Sequence, residues 1–255
     1  NGALVFLRAA EAAYAKDFSK AHELLESLPD SPKLKPILEK QLEEAKSYDA
    51  QPISSDVSSK HLSALTHDRE PQFTQEQLEA ANINVTVGTS MGSLEAMLAS
   101  ADGRYLTVHE HATSGGMDLG KTAGRIHNYN QKRRDWEKGF GHNSNVFLPR
   151  PVYGALTSDL ESTRSSGYGE VSLHPRQELI NNPATMFFLG DSLANIGVTD
   201  HLDTIKGRQV NKTDASVAYA HLLPVWAAKS PTEYPYVEAQ LQGLRLDDIE
   251  KVSIS

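Results

Sequence analysis

The stretch "YPYVEAQLQG" (residues 234–243) has the composition of a short strand with a carboxylate near its centre. Side chains alternate between the two faces of a strand. Three apolar residues therefore share one face: Val237, Ala239 and Leu241. The other face carries Glu238 and Gln240. The apolar face predicts burial on a core, and the polar face predicts either a solvated edge strand or a carboxylate at the mouth of a cleft.

Composition limits the classes of protein to which the chain can belong. It has 255 residues, 39% of them hydrophobic and 23% charged, which is typical of globular domains. The net charge of −8 argues against non-specific binding to nucleic acid or to anionic membranes. No apolar run approaches the length of a membrane span. The chain has no cysteine, so disulfides and thiolate chemistry are excluded. Separately, we expect a monomer.

The first 61 residues are predicted to form a helical subdomain followed by a linker. Apolar residues recur at helical spacing over residues 3–28, with a break near Lys16 and Asp17. A third helix is predicted over residues 31–48, with Ser31 as its N-cap and Pro32 in its first turn. Ser, Asp and Pro are frequent over residues 49–61, which is typical of a linker.

Short strand-like runs follow from residue 82 onward, separated by Gly, Asn, Pro and Ser. They are "INVTV" (83–87), "RYLTVHE" (104–110), "VYGAL" (152–156), "YGEVSL" (168–173), "TMFFL" (185–189) and "YVEAQLQ" (236–242). A helical pattern over residues 215–229 precedes the last run. Strands with long irregular connections predict an α+β fold for this second domain, residues 62–255.

The motif "FFLGDSLANIG" (187–197) resembles the nucleophile block of the GDSL esterases, in which Ser192 would attack an ester. That block normally lies on the first strand, whereas only about the last quarter of the chain follows Ser192 here. The family also needs an Asp-x-x-His pair, and none follows Ser192. The alternative is a strand that ends in a Gly-Asp-Ser turn. In that case Ser192→Ala is expected to leave the activity unchanged.

Two other motifs suggest the binding of a metal ion or a phosphate. "HEH" (109–111) offers two histidines on one strand face, but two ligands do not make a metal site and the zinc motif "HExxH" is missing, so no metal is expected. "SGGMDLGKT" (114–122) lacks the spacing of a phosphate-binding loop. The backbone N–H groups around Thr113 and Ser114 are nevertheless candidates to meet a phosphate or a ribose.

Four blocks occur together and in a fixed order. They are "YLTVHEHATSGG" (105–116), "RRDWEKGFG" (133–141) leading to "RPVYGAL" (150–156), "GYGEVSL" (167–173) leading to "ATMFFLGDS" (184–192), and "YVEAQLQGLRLDDIE" (236–250). Over roughly residues 62–250 this ordered set resembles bacterial toxin-like mono-ADP-ribosyltransferases, a family that includes the CteC-type type III effectors acting on ubiquitin.

The resemblance implies a fold, an activity and a location. The fold would be a split β-sheet core, and the reaction would transfer ADP-ribose from NAD+ to a side chain of a host protein, with release of nicotinamide. NAD+ would be the substrate and no metal would be needed. The protein would be a secreted bacterial effector acting in the host cytoplasm, with ubiquitin as a possible acceptor.

The resemblance also assigns catalytic residues. Glu238 matches the glutamate that faces the positive charge built on the ribose as the glycosidic bond breaks. Many arginine-modifying relatives carry Glu-x-Glu, whereas this chain has Glu-x-Gln with Gln240 in second place. A Ser or Thr hydroxyl, such as a ubiquitin threonine, is therefore the favoured acceptor. Glu110 and His109 are candidates for the base that takes its proton.

Further residues are implied as contacts to NAD+, and Gln240 is one of them. Relatives often place an arginine on the first strand to bind the phosphates; this chain has Leu106 there, and Arg104 or His109 are the expected substitutes. Thr113 and Ser114 match the strand-end motif. Two aromatic–glycine pairs match positions where a ring stacks on the ligand and a glycine permits close approach. These pairs are Tyr153 with Gly154, and Tyr168 with Gly169. Packing within strands is the alternative role of both tyrosines, and Glu170 stands where relatives often have serine.

Three alternatives to the transferase remain open. The first is an NAD+ glycohydrolase, which cleaves the same bond with water as acceptor. The second is a GDSL-type esterase that uses Ser192. The third is a non-catalytic effector that binds a host protein through its helical part.

Overall fold

The computed structural model describes residues 2–28, 34–48, 84–100, 103–105, 133, 135–140, 142–143, 145–157, 169–190, 192, 208–216, 218 and 237–254. The chain divides into two compact units. One contains residues 1–50, 100–102 and 106–150, and the other contains residues 51–99, 103–105 and 151–255.

The described part of the first unit includes three helices at its start: α1 (Gly2–Tyr14), α2 (Phe18–Glu26) and α3 (Lys35–Lys46). The predicted break between the first two is confirmed. Lys16 takes a left-handed conformation with φ of 61°, and the Asp17 side chain accepts a hydrogen bond from the Lys20 N–H to cap α2. The predicted start of the third helix at Ser31 is wrong. Leu34 is its N-cap, and Pro36 lies in its first turn, where a missing N–H is tolerated.

The core of this unit is completed by a distant part of the chain. Phe147 is fully buried among small and aliphatic side chains of the three helices, which include Ala9, Ala13, Ala21, Leu25, Leu38 and Leu42. The Tyr14 hydroxyl donates to the Val146 carbonyl at 2.9 Å, and Asn145 Nδ2 donates to the Gln41 carbonyl at 2.6 Å. The unit therefore takes in residues that the sequence assigned to the second domain. The boundary at residues 61 and 62 lies outside the described residues and stays a prediction.

A buried ion cluster lies in the same unit. Glu137 accepts a hydrogen bond from Arg133 Nε at 2.9 Å and another from Arg150 Nη2 at 2.8 Å. The Glu137 side chain is 6% exposed, and the two arginines are nearly as buried. The Glu137 carboxylate thus links Arg133, in the same helical segment, to Arg150, which lies just before the strand that begins at Val152.

The second unit is built around an antiparallel sheet. Its described elements are β1 (Asn84–Thr89), α4 (Met91–Ala99), β2 (Val152–Thr157), β3 (Val171–Pro175), α5 (Gln177–Ile180), β4 (Met186–Leu189), β5 (Gln209–Val210), β6 (Val237–Leu241), a 3-10 helix (Leu246–Asp248) and β7 (Ile249–Ile254). The strand order is β5-β4-β6-β2-β1-β3-β7, and every neighbouring pair is antiparallel. Helices and an open antiparallel sheet make the α+β fold that the sequence predicts.

Five of the six predicted strand runs are confirmed, although β3 begins later than predicted, at residue 171. Of the run at 104–110, the described part is Arg104 and Tyr105. Arg104 forms an isolated bridge with Arg245 and belongs to none of the seven strands. Helix α4 and strands β5 and β7 were not predicted.

Strand β1 divides its pairing between two neighbours. Residues 84–86 pair with β2, whereas residues 87–89 pair with β3, so the sheet consists of two ladders that meet within one strand. One face of the sheet carries the apolar core residues of the strands, which cluster with Leu94 and Met97 of α4. Gly154 permits the close approach of β2 to β1, since an added Cβ would lie 2.7 Å from Val85 Cγ1 and 2.9 Å from the Thr86 carbonyl oxygen.

We predict that Glu137→Gln lowers the free energy of unfolding by about 3–5 kcal/mol, because it removes the carboxylate that two buried guanidinium groups share. Urea unfolding followed by circular dichroism measures the change. Glu23→Gln is the matched control. Its pair with Lys20 is solvent-exposed, so we expect a loss below about 1 kcal/mol. Equal losses in the two variants would contradict a structural role for the cluster.

Candidate active site

Glu238 lies at the centre of a buried strand. Strand β6 runs between β4 and β2, with Glu238 opposite Phe188 on one side and Ala155 on the other. The solvated edge strand considered from the sequence is therefore wrong. The apolar alternation is confirmed, because Val237, Ala239 and Leu241 are fully buried in the core.

Glu238 is also buried on its polar face. Its exposure is 2%, and that of Gln240 is 0%. A buried carboxylate is costly unless hydrogen bonds replace its hydration. The structure supplies them from two places, the next polar position of β6 and the turn that follows β4.

The turn after β4 brings Ser192 onto Glu238. Strand β4 ends at Leu189, and Gly190 takes a φ of 86°, a left-handed conformation that favours glycine. The Ser192 hydroxyl then donates to Glu238 Oε1 at 2.5 Å, and the Ser192 backbone N–H donates to Oε2 at 3.3 Å. The predicted end of the strand before Gly190 is thus confirmed, whereas the Gly-Asp-Ser turn stays a prediction because Asp191 lies outside the described residues.

Gln240 closes the cluster. Its Nε2 donates to Glu238 Oε1 at 2.8 Å and to the Ser192 hydroxyl oxygen at 2.9 Å. Donors therefore converge on both carboxylate oxygens, an arrangement that favours the ionised form. When ionised, a carboxylate held in this way presents an oriented negative charge in a dry environment, where it acts on a nearby positive charge more strongly than it would in water.

The sequence did not predict the contact between Ser192 and Glu238. The two residues are 46 positions apart, and the motif around Ser192 suggested either an ester nucleophile or an uninvolved turn residue. Ser192 is 1% exposed, and its hydroxyl proton is directed at a carboxylate. The pairing of β4 with β6 was the missing information, because it brings the end of β4 beside Glu238.

Tyr153 lies on the same face as this cluster. It is opposite Gln240 in the pairing of β2 with β6, and it is half-buried. Residues directly opposite each other on antiparallel strands have Cβ atoms about 5 Å apart. The Tyr153 ring, which the sequence predicts to stack on a ligand, therefore lies close enough to contact a ligand held at Glu238. Its partner in the motif, Gly154, instead faces β1 and serves strand packing.

The second aromatic–glycine pair has a different environment. Gly169 has a φ of 143°, and an added Cβ would lie 2.1 Å from the Thr89 carbonyl oxygen, so only glycine fits there. Glu170 accepts a hydrogen bond from the Met91 N–H at 2.8 Å, at the start of α4. This bond is the main reason that the pKa of Glu170 lies below its ordinary value of 4.5. Glu170 therefore stabilises a helix N-terminus.

Other predicted residues are not gathered at Glu238 by the described structure. Arg104 is buried at 7% exposure beside the segment that follows β6, where the Tyr105 N–H donates to the Leu244 carbonyl at 2.8 Å. Five more residues lie outside the described residues, and their roles stay predictions: His109, Glu110, Thr113, Ser114 and Tyr168.

A second buried polar group lies on the same face of the sheet. Thr86 is opposite Ala155, which in turn is opposite Glu238, so Thr86 lies two strands, about 10 Å, from Glu238. His174 Nδ1 is 3.5 Å from the Thr86 hydroxyl oxygen, and its Nε2 is 3.3 Å from that of Ser253. Sequence reasoning missed His174, because the predicted strand run ended at Leu173, one residue before it.

Comparisons of the chain with models of protein families, with curated proteins and with solved structures give no match. Among the described helices, none is both long and apolar enough to cross a membrane. Within the same described ranges, no three His, Asp or Glu side chains are grouped in a way that would hold a metal ion.

We predict that Glu170→Gln lowers the thermal unfolding temperature at neutral pH and that this difference shrinks as the pH falls below about 4.5. The folded-state pKa of Glu170 is depressed. Its charge therefore stabilises the fold above the unfolded pKa, and that contribution is lost as the carboxylate becomes protonated. Thermal unfolding from pH 3 to 7 measures the effect, with Glu250→Gln on exposed β7 as control. A difference that is constant with pH would contradict the assignment.

Proposed function

We propose that this protein is a mono-ADP-ribosyltransferase that transfers ADP-ribose from NAD+ to a protein side chain. The observation that carries the proposal is Glu238. It is a buried carboxylate on a central strand, held by donors from Ser192 and Gln240, at the position that the sequence resemblance gives to the catalytic glutamate.

Cleavage of the bond between nicotinamide and the ribose requires a fixed anion beside the ribose. When the bond between nicotinamide and the ribose C1′ breaks, its electron pair leaves with nicotinamide and positive charge develops on the ribose, as in glycoside hydrolysis. A carboxylate that is already oriented and desolvated stabilises that charge more than it stabilises neutral ground-state groups. The acceptor oxygen then bonds to C1′, and its proton passes to a base.

The arrangement of the sheet supports the same proposal. The resemblance implies a split sheet, and the two ladders that meet within β1 fit that description. Tyr153 lies beside Gln240 on the face of Glu238, so its ring is suited to stack on nicotinamide. Arg104 and His109 remain the proposed contacts to the NAD+ phosphates, and Thr113 and Ser114 the proposed contacts near the ribose.

The neutral residue two positions after Glu238, Gln240, bears on which side chain accepts the ADP-ribose. An enzyme that modifies arginine benefits from a second acidic group to bind the guanidinium. Gln240 supplies no charge, and its amide is engaged with Glu238 and Ser192. We therefore propose a Ser or Thr hydroxyl as acceptor, with a ubiquitin threonine in the host cytoplasm as the leading candidate by resemblance. Glu110 and His109 are the proposed bases.

We predict that Glu238→Gln lowers the rate of NAD+ consumption by about 10²–10³-fold or more, since a neutral amide cannot stabilise the developing positive charge. The assay combines NAD+, ubiquitin and the purified protein, and measures free nicotinamide together with the intact mass of ubiquitin. Glu250→Gln, an exposed glutamate of the same unit, is the matched control and should retain full activity.

The same assay separates the alternatives. A ubiquitin mass increase of one ADP-ribose unit supports the transferase, and free ADP-ribose alone supports the glycohydrolase. Lack of NAD+ turnover would favour a binding protein. Hydrolysis of short activated esters that is lost in Ser192→Ala would favour the esterase. Full activity in Glu238→Gln would contradict the assignment of the site.

We predict that the modified residue is a serine or a threonine. The product would be an ether-type link that survives hydroxylamine, whereas carboxylate esters are released quickly and arginine links more slowly. Peptide mapping of the modified acceptor by mass spectrometry identifies the site. ADP-ribose found on arginine would contradict this prediction even if Glu238 proves to be catalytic.

A further inference from the structure

With Glu238 ionised, the hydrogen bonds among Ser192, Glu238 and Gln240 have one consistent set of directions. The Gln240 side-chain atom at 2.8 Å from Glu238 Oε1 must be the amide nitrogen, because the amide oxygen would repel a carboxylate. The same nitrogen can only donate to the Ser192 hydroxyl. The single proton of that hydroxyl must therefore point at Glu238, as the 2.5 Å contact indicates.

This ring of hydrogen bonds restrains the Glu238 side chain, which has several rotatable bonds. A glutamate has three side-chain torsions, and the ring holds its carboxylate at one oxygen by two donors, one from the segment after β4 and one from β6 itself. All three side chains are at least 98% buried, so water does not compete for these bonds. Catalytic geometry is sensitive to such support, since a misplacement of about 1 Å can cost roughly 10²-fold in rate.

We infer that Ser192 is a positioning residue for Glu238, and that Gln240 acts with it inside the protein and does not bind the acceptor. The inference rests on the proposed function. Ser192 forms no covalent intermediate. It donates one hydrogen bond through its side chain and one through its backbone, and both favour a single orientation of the ionised carboxylate.

The neutrality of Gln240 has a role of its own in this ring. A glutamate at this position would set a second carboxylate at hydrogen-bonding distance from Glu238. Two carboxylates so close share one proton at moderate pH. The Gln240 amide avoids this sharing of a proton, because it donates a hydrogen bond to Glu238 where a second carboxylate would repel it. Glu238 therefore keeps its charge.

The first experiment compares Ser192→Ala and Ser192→Thr with the unmodified protein. Contrary to the expectation from the sequence, we expect the Ala variant to lose about 10²-fold in kcat with an unchanged KM for NAD+. We also expect the acidic limb of its pH–rate profile to move to higher pH. The Thr variant keeps the hydroxyl and should recover most of the rate. Unchanged kcat in Ser192→Ala, with Glu238→Gln inactive, would overturn the inference while leaving the proposed function intact.

The second experiment does not depend on activity. Carboxyl carbons are followed by NMR in protein labelled with 13C-glutamate, and the Glu238 signal is identified by its loss in Glu238→Gln. Removing a donor from an ionised carboxylate moves its titration midpoint to higher pH. We expect that shift in Ser192→Ala and not in Ser192→Thr. Equal midpoints in the Ala variant and the unmodified protein would overturn the inference.

Gln240→Glu provides a third measurement on a variant with nearly unchanged shape. We expect the acidic side of its pH–rate profile to move upward by a unit or more, because one proton is shared by two carboxylates. Gain of arginine modification in this variant would assign Gln240 to the acceptor and overturn its internal role. If the unmodified protein turns over no NAD+, the proposed function fails and the catalytic role of Ser192 fails with it.

Discussion

The division of β1 between two neighbours is the constraint on which the second unit depends. Six residues must pair with β2 through their first half and with β3 through their second half. This places β2, and through it β6, on one ladder, and β3 with β7 on the other. Gly154 and Gly169 make the arrangement possible, since a side chain at either position would collide with β1. The glycines that resembled ligand contacts in the sequence are therefore required by the sheet itself.

Once β6 is central, the polar face of the sheet must satisfy a buried charge. An exposed strand could leave Glu238 to water, but a carboxylate that is 2% exposed needs protein donors. Gln240 and the Ser192 turn meet that need, and the cost of orienting the carboxylate is met during folding, before any substrate arrives. Preorganisation of this kind is the usual source of electrostatic catalysis. The same physical requirement thus links the fold to the proposed chemistry.

Sequence reasoning predicted those features that depend on local pattern. Alternation of apolar residues identified β6 and singled out Glu238, and helical periodicity identified α1 and α2 with their break at Asp17. Features that depend on contacts distant in the chain were missed. The sequence contains no local signal that joins Ser192 to Glu238, or that adds Phe147 to the core of the helices. Helix α4 was missed because Gly92 and Ser93 mask its helical pattern.

The separation of Ser192 from Glu238 along the chain has a consequence for when the candidate active site is assembled during folding. The two residues are joined only when β4 pairs with β6, a contact across 46 positions. Contacts between distant parts of a chain form slowly, because the entropy of closing the intervening loop must be overcome first. A chain that has formed its helices but not this pairing carries Glu238 without its hydroxyl donor. Recovery of the proposed activity after unfolding should therefore follow the completion of the sheet and lag behind the return of helical structure.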